Sequence, residues 1–93
     1  MPPGLAPDYL DHPPPEYPSV SRSLGEQGVA LIKAFVDVDG HPAQLVLERT
    51  AGSSRLDAAA LKAVASWRFL PGRQGHTPVA GWVIVPVRFQ LQQ

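Results

Sequence analysis

The chain has 93 residues, with eight basic and eight acidic side chains and a formal net charge of zero. That length holds one small domain with a single modest core, and the charge balance gives no electrostatic footing for nucleic acid or an anionic membrane. The absence of cysteine excludes disulfides and thiolate metal sites, and no apolar run reaches the roughly 20 residues that span a bilayer.

The start, "MPPGLAPDYL", lacks the charged and apolar regions of a secretory signal. Pro2, Pro3, Pro7, Pro13, Pro14, Pro15 and Pro18 crowd this end. Such a stretch contributes little core, so residues 1–16 read as the extended or disordered end of a linker and 17–93 as the domain. Within "PPPEYP", Tyr17 is the residue suited to pack on the domain. A short helix is expected from Pro18, because proline suits a first helical turn. Val20 and Leu24 would form its apolar face and Gly25 would stop it.

"GVALIKAFVDV" (28–38) reads as a strand. Its even positions, Ala30, Ile32, Ala34, Val36 and Val38, are all apolar, while Lys33 and Asp37 interrupt the odd set. "DGHP" (39–42) supplies turn chemistry, and "AQLVLERT" returns with Ala43, Leu45 and Leu47 on one face. Symmetric closure of the loop sets Val38 against Ala43, Val36 against Leu45 and Ala34 against Leu47, which matches the apolar faces.

In "AGSSRLDAAALKAVASWRFLPG", Ser54 and Asp57 have capping-box spacing. The alanines favour helix, and Leu56, Ala60, Ala63, Val64 and Trp67 recur as one apolar stripe. Pro71 and Gly72 end the helix, residues 72–77 read as a polar loop, and the last strand runs from about 79 to 91. A hairpin followed by a helix and a third strand predicts an α+β fold. Its three-stranded antiparallel sheet has the order 2-1-3, with the long helix on one face and a short N-terminal helix.

The last strand, "GWVIVPVRFQL" (81–91), carries Pro86 among its valines. Proline lacks an N–H and is confined in sheets to edges and bulges. Side chains and backbone groups alternate together with period two. If Val83, Val85, Val87, Phe89 and Leu91 face the helix and bond inward, then Trp82, Ile84, Pro86, Arg88 and Gln90 turn their backbone groups outward. The proline then removes a donor from the free edge and none from the ladder. Such an edge is either blunted against aggregation or a docking edge for an extended peptide.

Nothing points to catalysis. His12, His41 and His76 lie in the linker, the hairpin turn and a loop, and show no metal-ligand spacing. Ser53 and Ser54 read as helix-start residues, and Asp37 and Asp39 as turn residues. The glycines form no phosphate loop. Neither a cofactor nor a metal is expected.

Tyr17-Pro18, Gly25 and Gly28 before the first strand, the Asp39-Gly40 turn, "LDAAALKAVASWRFLPG" and "VPVRFQL" occur in that order. Together they resemble the C-terminal domain of the TonB energy transducers over roughly residues 15–91. The most specific part is Leu56, Asp57, Ala59, Ala60, Leu61, Ala63, Trp67, Phe69 and Pro71. The family often has a glutamine shortly before Tyr-Pro, where this chain has Pro14, Pro15 and Glu16, so no contact assigned to that glutamine carries over.

The resemblance implies a periplasmic domain tethered to the inner membrane. A membrane helix outside these residues would engage ExbB–ExbD, with residues 1–16 as the end of a periplasmic spacer. The domain would grip the TonB box of outer-membrane receptors by strand addition, and force would open them to siderophores, haem or cobalamin. The expected peptide-binding residues are Trp82, Ile84, Pro86, Arg88 and Gln90, with Glu16, Tyr17 and Pro18 as additional partner contacts. An open edge also allows a homodimer. The alternatives are a TolA-like envelope-integrity domain and a structural adaptor of another periplasmic complex.

Overall fold

The computed structural model describes residues 4–5 and 12–92. Its elements in chain order are β1 (Gly4–Leu5), α1 (Ser19–Ser23), β2 (Gly28–Val36), β3 (Pro42–Arg49), α2 (Ser54–Ala65), β4 (Phe69–Leu70), β5 (Gly72–Gln74), β6 (Thr77–Val79) and β7 (Gly81–Phe89). The three long strands form an antiparallel sheet in the order β3-β2-β7. This is the expected topology: the most apolar strand is central and the proline-bearing strand is an edge.

The buried face of β2 is its even set, with Ala30, Ile32, Ala34 and Val36 wholly buried. Val85, Val87 and Phe89 of β7 join them, and α2 supplies Leu56, Ala60, Ala63 and Val64. Trp67 and Phe69 complete this core from just beyond the helix rather than from within it. Gly28 sits where any side chain would collide with the sheet-to-helix connection, since a Cβ there would lie 2.1 Å from the Ala51 carbonyl oxygen.

The hairpin register differs from symmetric closure. Ala34 pairs with Leu45, Ile32 with Leu47 and Val36 with Pro42. The turn, residues 37–41, starts earlier in the chain because Asp37 organises it: its Oδ1 accepts the N–H groups of Asp39 and His41, each at 2.9 Å. The Asp37 N–H in turn donates to the His41 carbonyl at 2.9 Å. Val38 thus leaves the strand and is 48 % exposed. The shift at Ala34 is two residues, from Leu47 to Leu45, so side-chain parity survives and the apolar faces still match. Gly40, at φ 86°, closes this turn against β4, accepting the Phe69 N–H at 2.9 Å.

Two other local readings are corrected. Ser53, not Ser54, caps α2: its backbone is extended and its hydroxyl accepts from the Leu56 N–H. Asp57 then falls one position beyond the capping-box site and reaches back to Ala51 instead. In α1 the expected apolar face is exposed, with Val20 and Leu24 at 52 % and 65 %, while Ser21 is buried. Tyr17 packs on Phe89 just ahead of the helix, and the face of α1 that turns inward carries Ser21.

Residues 72–79 form a hairpin, where a polar loop running into the last strand was expected. Gly72 pairs with Val79 and Gln74 with Thr77 around a two-residue turn. Val79, used in that hairpin, cannot also extend β7, which starts at Gly81 opposite Val36.

The Asp37 turn makes stability depend on acid. Chiefly the His41 backbone N–H, and then that of Asp39, hold its carboxyl below the ordinary carboxylate range. A depressed folded value contributes stability above the unfolded value, and that contribution is lost as pH falls through the folded value. Asp37→Asn is expected to lower the urea midpoint at pH 6, and the gap between the two proteins should narrow as pH falls through and below the ordinary carboxylate range. Parallel midpoints across that range would remove the carboxylate from the account.

Candidate functional site

β2 and β7 pair without irregularity from Gly28↔Phe89 to Val36↔Gly81. Hydrogen bonds at two ends of this ladder fix which way each residue points. The Asp37 N–H turns to His41 on the β3 side, so odd residues of β2 bond toward β3 and even ones toward β7. Even residues of β2 lie opposite odd residues of β7. Beyond β7, the Leu91 N–H donates 2.8 Å to Gln27 Oε1, again on the β2 side. Odd residues of β7 therefore bond inward.

Trp82, Ile84, Pro86 and Arg88 consequently turn their backbone groups away from the sheet. No strand pairs with this outer edge among the described residues. Pro86 lies opposite Leu31, and its missing donor falls on the free side, where the inner ladder loses nothing. Gln90 continues the alternation one residue past the strand. Trp82 to Arg88 spans about 20 Å at about 3.3 Å per residue, which is room for a peptide of about seven residues.

The side chains of these even residues lie on the sheet face opposite α2. Trp82 and Ile84 are 42 % and 53 % exposed. Trp82 is held in place: Phe35 packs its ring at 5.1 Å between centroids, and the Lys33 ammonium sits 5.0 Å from the centre of the indole. Pro86 and Arg88 are exposed, and Arg88 lies opposite Val29. An added strand would extend this face from a rigid aromatic anchor at one end to a guanidinium at the other.

The other expected partner residues are distributed differently. Glu16 is exposed and Pro18 half-buried at the start of α1. The Tyr17 ring packs edge-on against Phe89 at 5.5 Å, its hydroxyl donates to the Glu26 carbonyl, and the Arg22 guanidinium covers its face. Tyr17 is thus a brace for the C-terminal end of β7. Sequence reasoning also missed that residues 12 and 13 rest on the domain. His12 Nε2 lies 2.8 Å from the Arg68 carbonyl, and the Trp67 indole N–H donates 2.7 Å to the Pro13 carbonyl.

Among the described residues, metal-ligand-type groups gather at the hairpin turn. Ligand-type atoms of Asp37, Asp39 and His41 lie within 4.8 Å of one another at the hairpin turn. Asp37 is occupied there by backbone N–H groups, and His41 Nε2 faces the Arg68 guanidinium. These contacts build a turn. No helix among the described residues is long and apolar enough to cross a membrane.

Comparison with known proteins gives a consistent picture. The family profile described as Gram-negative bacterial TonB protein C-terminal matches residues 13–91. Protein tonB2 of Pseudomonas aeruginosa is 39 % identical over 83 residues, which cover 89 % of this chain and 31 % of that protein. Protein TonB of Vibrio cholerae is 32 % identical over 78 residues, covering 84 % of this chain and 32 % of that protein. The chain thus spans about a third of the length of these relatives. Among solved structures, the solution NMR structure of the Pseudomonas aeruginosa TonB CTD superposes with a TM-score of 0.75 at 25 % identity. That superposition covers 90 % of this chain and 85 % of the solved one. With the profile matched from Pro13 to Leu91 and the fold shared, this chain belongs to the TonB C-terminal domain family.

Proposed function

We propose that this domain is the receptor-gripping end of a TonB-like energy transducer, acting by binding and force transmission rather than by catalysis. The grip is strand addition: the TonB box of an outer-membrane transporter pairs with the outer edge of β7. The outward backbone of Trp82, Ile84, Arg88 and Gln90 supplies donors and acceptors, and Pro86 supplies its carbonyl alone. The observation that carries this reading is the free, outward-turned edge of β7. Backbone pairing reads little sequence, which suits one transducer serving several receptors.

In this reading the domain lies in the periplasm. Upstream chain tethers it to the inner membrane and to a proton-driven ExbB–ExbD complex. Force passed through β7 opens transporters for iron-siderophore, haem or cobalamin. Chemical-shift mapping with a TonB-box peptide tests the site. Perturbation of residues 82–90 and their β2 neighbours is expected, and shifts confined to β3 would rule it out. A TolA-like role predicts instead that Tol-system partners bind and the TonB-box peptide does not.

Pro86 leaves one position of the grip without a donor. Pro86→Val restores it, and one net hydrogen bond of about 1 kcal/mol corresponds to about fivefold tighter peptide binding. The same change completes an open edge, so sedimentation should show increased self-association. Unchanged affinity with increased self-association would make the proline a guard against pairing and nothing more.

A further inference from the structure

We propose that residues 12–17 form a rigid strap that latches the upstream chain to the grip, so that tension on that chain loosens the peptide-binding end of β7. The proposal rests on the reading of β7 as the docking edge. The strap is fixed at two points. At one end the Trp67 indole N–H holds the Pro13 carbonyl at 2.7 Å, His12 Nε2 lies 2.8 Å from the Arg68 carbonyl, and the His12 ring packs edge-on against Trp67 at 5.9 Å. Further upstream, the backbone of Gly4 and Leu5 pairs with Leu70 and Phe69. At the other end, Tyr17 braces Phe89 and bonds the Glu26 carbonyl.

Between these anchors the strap stands away from the helix. A groove of about 510 Å³ separates it from α2, lined by Pro14 and Glu16 on one side and by Ala59, Lys62 and Ser66 on the other. The middle of the strap is only partly packed: Pro14 and Glu16 are exposed and Pro15 is half-buried. Its shape comes from Pro13, Pro14 and Pro15, each with φ fixed near −65° and each restricting the residue before it. At about 3.1 Å per residue in an extended proline helix, the anchors are joined by a rod of about 12 Å. A stiff rod transmits displacement where a flexible one would absorb it.

The far anchor lies at the part of β7 that matters for docking. Phe89 is the last residue of the strand, opposite Gly28, and its neighbours Arg88 and Gln90 present outward groups to the peptide. When the upstream chain is pulled, load that passes the short β1–β4 pairing reaches the Trp67 and His12 contacts ahead of α1 and β2. Their release levers Tyr17 off Phe89, the last β2–β7 pairs fray, and the peptide loses its outermost bonds. The grip is thereby limited by tension.

The test is a double-mutant cycle on the full chain, read by hydrogen exchange and by titration with a TonB-box peptide. Trp67→Phe removes the indole donor, and His12→Ala removes the other contact without touching the core. Loss of one such anchoring bond is expected to raise exchange at the Phe89 and Leu91 amides by about fivefold and to weaken peptide binding by a similar factor. Replacing Pro14 and Pro15 with glycine should abolish this effect of the anchor variants, because the rod no longer transmits it. If His12→Ala and Trp67→Phe leave Phe89 and Leu91 protected while the peptide still maps to β7, the latch is overturned and the docking edge stands. If the exchange coupling is present but the peptide does not bind β7, the docking reading is the one that fails.

Discussion

Ile84→Pro is expected to weaken binding of a TonB-box peptide by about 30-fold while costing the free domain only about 1 kcal/mol. The asymmetry follows from the direction of one N–H. Ile84 turns its backbone outward, so in the free protein that group bonds water and its loss is almost neutral. In the complex the same N–H would face a peptide carbonyl, and its removal leaves that carbonyl desolvated without a donor, at roughly 1–3 kcal/mol. Pro86 already lacks its donor, so of Trp82, Ile84 and Arg88 within the strand the change removes the middle one. Ile84→Ala keeps the N–H and removes only the half-exposed side chain, so its affinity should fall by less than about threefold. Calorimetric titration and urea unfolding of both variants separate the two effects. Equal losses of affinity and stability in Ile84→Pro would show a structural role for the edge and no grip.

That prediction rests on parity, which was the most legible feature of the sequence. Alternation along β2 and β7 is a local property, repeated over nine paired residues, and neither strand is interrupted. Pro86 could sit only where its missing donor was not needed, so it marked both the edge and the open side. The features that sequence reasoning misjudged depend on contacts between distant groups or on a single side chain folding back on its own loop. Asp37 moved the hairpin turn by accepting two N–H groups, an arrangement that symmetric loop closure does not anticipate. Tyr17 meets Phe89, far away in the chain, and in the helix that follows the apolar Val20 and Leu24 point outward.

The strap was illegible for a related reason. A run of prolines signals an extended chain, but not where that chain lies. Its position is set by one indole N–H and one carbonyl oxygen, on Trp67 and Arg68 respectively. Trp67 was recognised as core from its place in the helical stripe, and its ring is buried as expected. The polar edge of that ring carries the additional role. A buried indole N–H requires an acceptor, and this requirement was the available signal that some carbonyl must reach it.

Asp57→Ala is expected to be the most destabilising of these changes, at about 2–3 kcal/mol, because it leaves a buried donor without a partner. The capping-box spacing of Ser54 and Asp57 reads as a helix start, and Asp57 does lie in the first turn of α2, where a carboxylate is favoured by the helix dipole. Its main work is elsewhere. Asp57 is 8 % exposed; its Oδ1 accepts the buried Ala51 N–H at 2.7 Å, and its Oδ2 accepts the Thr50 hydroxyl at 2.5 Å. Thr50 Oγ1 accepts the Gly52 N–H at 2.9 Å in turn. One carboxylate therefore fixes the whole connection from β3 to α2, and Ala51, held in this way, is the residue against which Gly28 packs at the start of the central strand. Asp57→Asn retains an acceptor for Ala51 but must rearrange the Thr50 hydroxyl, so about 1 kcal/mol is expected. For a domain of this size, the alanine variant should lower Tm by about 10–20 °C and the asparagine variant by about 4–8 °C. Similar losses in the two variants would mean that charge, and not the satisfied Ala51 donor, holds the connection together.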